Sequence, residues 1–104
     1  MTVRDNVRTD IRNKRELKST IKKVRKDRIV PFLYLITLPI QGDGVLEVYN
    51  YNILLQPTLK NLAGEITVVG MSKSKKGAID LIRDIYEEAV KVDENLDIRS
   101  FLGY

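Results

Sequence analysis

The chain contains no cysteine, no histidine and no tryptophan. Without cysteine there is no disulfide framework, no thiolate nucleophile and no cysteine-type zinc centre. Without histidine there is no Ser-His-Asp triad, no histidine-ligated haem and no imidazole for a transition metal. Any catalysis would rest on Asp, Glu, Lys, Tyr or Ser, and none of these stands in a convincing partnership. The sequence therefore reads as non-enzymatic, with no catalytic residue, cofactor or metal. The lack of cysteine also agrees with a reducing compartment, and a cytoplasmic location is expected. Long hydrophobic runs are scarce too. The longest, Ile29 to Ile40, is interrupted by Pro31 and Pro39 and falls short of the ~20 apolar residues needed to span a bilayer. No membrane partner is expected.

What is present is a chain of 104 residues, 43% hydrophobic and 31% charged, enough for one core. Its charge is unevenly placed. Residues 1–28 hold eleven basic and four acidic side chains, a net of +7, whereas 29–104 carry a net of −3. The composition divides the chain into a basic helical arm over 1–28 and a small α/β domain over 29–104.

Residues 2–28 contain neither Gly nor Pro. Val3, Val7 and Ile11, then Leu17, Ile21 and Val24, recur at spacings of three and four, a helical period. The stripe breaks near Asn13 and Lys14, so the arm reads as two helices, or as one from about Asn13 to Lys26 with a loose beginning. Ile29 to Ile40 reads as a strand buried on both faces, Gln41 to Gly44 as a turn and Glu65 to Met71 as a second strand. Residues 45–56 fit either a helix or the return strand of a hairpin. Helix is favoured, because the alternation of a half-buried strand is poor. Leu59 to Gly64 reads as a connection. Ala78 to Val92 is the clearest helix, with Ala78, Ile79, Ile82, Ile85, Tyr86, Ala89 and Val90 on one apolar face. Asp97 can cap a last short turn through Ile98, Phe101 and Leu102.

The expected architecture is thus a small βαβα core with two parallel strands, preceded by the basic helix. Two strands leave open edges, so a second copy is expected to complete the sheet or core. The leading functional expectation is an assembly module that forms a homodimer through Leu17, Ile21 and Val24 of the arm. The alternative is a nucleic-acid-associated accessory protein that grips the phosphate backbone with Arg15, Lys18, Lys22, Lys23, Arg25 and Lys26. The arm has no aromatic side chain on which bases could stack. A weaker candidate is an anion site at Ser72, Lys73, Ser74, Lys75 and Lys76. There a helix N-terminus and three lysines would favour a phosphate, although no P-loop spacing is present. The plain reading of that loop is a solvated turn capped by serine.

Overall fold

Val3 and Val7 lie four residues apart, a spacing that suits the period of two of a strand as well as the period of a helix. In the computed structural model, which describes residues 1–40, 42 and 44–104, the strand prevails, and Thr2–Thr9 forms β1. This corrects the helical beginning expected for the arm. Thr2, Val3, Val7 and Thr9 are β-branched and lose side-chain freedom in a helix, while both valines reach the core in the strand. The helix proper, α1, spans Lys14–Arg25 and is opened by Asn13, whose side chain accepts from the Glu16 N–H at 3.0 Å.

The apolar run contributes a short strand, β2 (Tyr34–Thr37), which returns as β3 (Glu47–Asn50). Of the turn expected at residues 41–44, Gln41 and Asp43 lie outside the described residues. Glu47 organises the backbone just after β2: its carboxylate accepts from the Ile40 N–H at 2.6 Å and the Gly42 N–H at 2.9 Å. The stretch 45–56 is divided. It is a hairpin strand first and then a single helical turn, α2 (Tyr51–Leu54), started by the Asn50 side chain. The preference for helix there is corrected for a simple reason. β3 is an edge strand with all four residues half-buried, so its alternation is weak. Pro57 opens a helix where the sequence reads as a connection, α3 (Pro57–Ala63), as its fixed φ permits in a first turn. Then come β4 (Thr67–Ser72), α4 (Lys75–Val92) and α5 (Ile98–Leu102).

The four strands form one mixed sheet in the order β1-β4-β2-β3. β4 runs parallel to β1 and antiparallel to β2, and β2 and β3 are antiparallel. The expected parallel pair of β2 and β4 is corrected: the parallel partner of β4 comes from the arm. The chain itself thus supplies strands that the two-stranded reading sought in a second copy.

One face of the sheet, with Val3, Leu35, Val68 and Met71, packs under α1 and α2. On the other, Ile36 and Val69 meet Ala78 of α4, and Ile85 and Ala89 meet Ile98 of α5. Residue 69 is the extra residue of a bulge, because Ile36 pairs with Gly70 while Thr37 pairs with Val68. Gly70 is needed there, since a Cβ would lie 2.8 Å from Ile36 Cδ1.

Residues 1–28 are bound into this body. Ile21 and Val24 are buried and Leu17 half-buried in the chain's own core. From β1, Arg4 donates to the Gly103 carbonyl at 3.0 Å and lies over the Tyr104 ring, and Arg8 pairs with Glu88 at 2.6 Å. Leu35→Ala, at a fully buried position of the central strand, is expected to lower unfolding stability by about 2–5 kcal/mol. Leu62→Ala, 74% exposed, should stay within about 0.5 kcal/mol. Urea titrations of the two variants check the contrast.

Candidate nucleic-acid interface

Because α1 turns Thr20, Ile21 and Val24 inward, its cations fall on the remaining surface, but they do not act as one set. Arg25 is committed to β1. Its Nε donates to the Val3 carbonyl at 2.8 Å, and Nη2 reaches the Asp5 carboxylate at 3.0 Å. Lys18 lies on that same flank, with Lys14 and Asp5. Arg15 is exposed. On the opposite flank Lys22, Lys23 and Lys26 join Asp27, Arg28 and Ile29 around a broad concavity that also includes Ser19.

The end of α1 explains how Arg28 gets there. The Arg28 N–H donates to the Lys23 carbonyl at 2.8 Å and the Asp27 N–H to that of Val24 at 3.1 Å. This is a Schellman closure with Asp27 at the left-handed position, φ 55°. Asp27 holds a position usually given to glycine, which short polar side chains tolerate. Its carboxylate meets Lys60 at 2.6 Å and the Met1 amino group at 3.3 Å. Burial pushes this carboxyl up, but the Lys60 ammonium and the Met1 amino group outweigh that effect and hold it below the ordinary carboxylate value.

Tyr51 anchors the rest of residues 26–33. Its hydroxyl donates to the Arg28 carbonyl at 2.7 Å and its backbone N–H to the Leu33 carbonyl at 2.9 Å. Burial, and then the negative charge of Asp27, push the Tyr51 phenol up to about 12. Between these anchors Phe32 is forced outward, 81% exposed, with φ 55°. An aromatic residue in the left-handed region is rare, and strained, exposed positions of this kind gather at functional sites.

The loop before α4 has the serine cap of its plain reading, while its other serine is turned inward. Ser72 is buried and donates to Asp10 at 2.7 Å. Ser74 caps α4 by accepting from the Gly77 N–H at 2.9 Å. The Asp10 carboxylate lies close to Gly77 in the first turn of α4, so much so that a Cβ there would collide with it and with Ser72. This brings a resident negative charge near the helix start, where the sequence suggests a bound anion. Lys73 is ion-paired with Glu16 of α1, Lys76 lies 3.8 Å from Asp80, and Lys75 is exposed.

The structure also joins the two sequence-level candidates. Glu16, Ser19, Lys23, Pro31, Phe32 and Lys73 line one concavity of about 350 Å³, adjoining the first through Ser19 and Lys23. Phe32 and Arg28 are absent from the site expected on sequence grounds. Phe32 sits in a run that reads as a buried strand, and only the Pro31 beside it hints at a break. Among the described residues no acidic cluster suited to a metal is present, and no helix is long and apolar enough to cross a membrane.

Compared with protein-family models, curated proteins and solved structures, the chain matches none of them.

An ultraviolet pH titration is expected to show a last tyrosinate step at about 12, absent in Tyr51→Phe. Since the folded phenol is raised above the ordinary value of ~10, the stability it confers is complete below that value and is lost as pH rises towards the folded one. Loss of its hydrogen bond should cost about 0.5–1.5 kcal/mol and quicken amide exchange at Ile29 and Phe32.

Proposed function

We propose that the protein binds the phosphate backbone of nucleic acid through the outer flank of α1 and residues 26–33. The observation that carries this reading is the state of the cations. Arg8, Arg25, Lys60, Lys73, Lys76 and Arg83 each lie within 4.0 Å of a carboxylate. Among the described residues Lys22, Lys23, Lys26 and Arg28 form no such pair; Lys14, Arg15 and Lys18 form none either, but the first four share one concavity, and the one carboxylate in its lining, Asp27, is taken by Lys60 and the Met1 amino group. Clustered, unneutralised cations hold counterions near the surface and attract a polyanion. On binding, the counterions condensed on the nucleic acid are released, which makes affinity depend steeply on salt.

Fluorescence anisotropy with a labelled oligonucleotide tests this. The logarithm of affinity should fall against the logarithm of salt with a slope of about −3, as four phosphate contacts require. Lys22→Ala combined with Lys26→Ala should weaken binding to all sequences and flatten the slope by about 2 units. Lys14→Ala, on the other flank, should leave both unchanged. Absence of salt-dependent binding would remove the reading.

Self-association is a second reading, favoured by a different surface from the one expected. With Ile21 and Val24 buried, the unpartnered apolar stripe is on α4, where Ile79, Tyr86 and Val90 are 51%, 39% and 58% exposed. These residues recur at helical spacing on one face. Arg83 and Glu87 flank the stripe, lysines stand at one end of α4, and Asp93 and Glu94 stand just past the other. A second copy packed antiparallel would set opposite charges against each other. Light scattering should then give twice the 12.0 kDa chain mass, and Tyr86→Lys with Val90→Lys should return it to the monomer value. A monomer at high micromolar concentration would defeat this reading.

A further inference from the structure

We infer that the nucleic acid is taken as a single strand, with an unpaired base stacked on Phe32. This rests on the reading of α1 as a phosphate-binding flank. The backbone turns the ring outward. Leu33, the next residue, is buried at 1% exposure, and its carbonyl accepts from Tyr51. With the chain fixed there and Pro31 restricting the approach, the left-handed backbone at Phe32 directs the ring to solvent. Ile29, 76% exposed, adds a second apolar group beside Lys22, Lys26 and Arg28. The surface therefore sets apolar side chains next to cations: Phe32 shares its concavity with Lys23, and with Lys73 in its pair with Glu16, and Ile29 shares the adjoining one with Lys22, Lys26 and Arg28.

That juxtaposition matches the chemistry of an unpaired strand, which offers a planar apolar face and a phosphate at every nucleotide. In a duplex the base faces are covered by their neighbours, and a ring standing on the protein surface meets only edges, sugars and phosphates. The backbone that carries the ring is fixed on either side before binding, so little main-chain freedom is lost on stacking. The concavity of about 350 Å³ beside the ring is at the small end of ligand-site volumes. DNA and RNA single strands share both features that are recognised here, so both serve as ligands in the test.

Anisotropy is measured with labelled 12-nucleotide single-stranded DNA, the same sequence as RNA, and the DNA duplex. The wild type should bind the single strands at least tenfold more tightly than the duplex. Phe32→Ala should lower single-strand affinity by roughly five- to a hundredfold, the range of one base stacked on an aromatic ring, with duplex affinity and salt slope unchanged. Phe32→Asn, which tolerates the left-handed backbone, should behave like Phe32→Ala and so separates loss of the ring from distortion of the loop. Phe32→Trp should keep the affinity, and because the chain has no other tryptophan, its fluorescence should be quenched by the single strands and not by the duplex. Equal binding of single strand and duplex, with Phe32→Ala and Phe32→Asn without effect, overturns the stacking inference and leaves the phosphate-binding reading intact. Absence of binding by every ligand overturns both. A preference between the two single strands identifies which is the better ligand.

Discussion

Hydrogen bonding along both edges of β4 is the constraint on which the other elements depend. β1 occupies one side and β2 the other, and only this arrangement makes a sheet wide enough to support a helical layer on each face. The bulge at Val69 is part of that arrangement. It sets Val68 and Met71 beneath α1 while Val69 packs towards α4, so a single strand serves two cores. Gly70 is the residue whose missing side chain lets Ile36 cross it.

From this frame the candidate interface results by packing. α1 must bury Ile21 and Val24, and its cations are then distributed around the rest of its circumference. Arg25 closes on β1, and Lys22, Lys23 and Lys26 are left to the opposite flank. Tyr51, held under the sheet by complete burial, extends the same order outward through its two hydrogen bonds to residues 28 and 33. The backbone that presents the exposed ring of Phe32 is therefore positioned from the hydrophobic core.

The elements most legible in the sequence are those whose signals are purely local. α1, β4 and α4 are found close to their observed bounds, because caps, β-branched runs and helical apolar spacing point the same way in each. β1 is misread because a spacing of four satisfies two periods at once. β3 is misread because an edge strand buries too little to show alternation. The strand pairing is not legible either, since the partner of β4 lies at the other end of the chain. As for the site, basic residues of α1 are visible as a composition, but their division between two flanks depends on which side of the helix faces the sheet. Lys73 and Phe32 join them only through the tertiary fold.

The parallel pairing of Thr2 with Thr67 and Thr9 with Met71 has a temporal meaning. A chain emerging from the ribosome cannot close this ladder until β4 has been made, because the first strand of the sheet must wait for the fourth. Until then α1, the β2–β3 hairpin, α2 and α3 can form from neighbouring residues, and the widest separation between paired strands is bridged late, at a cost in loop closure. During that interval the basic segment is not yet joined to the sheet. Synthesis of β4 completes the sheet, and α4, made next, brings Glu88 to Arg8, so that the α1 flank is a basic surface the finished protein presents.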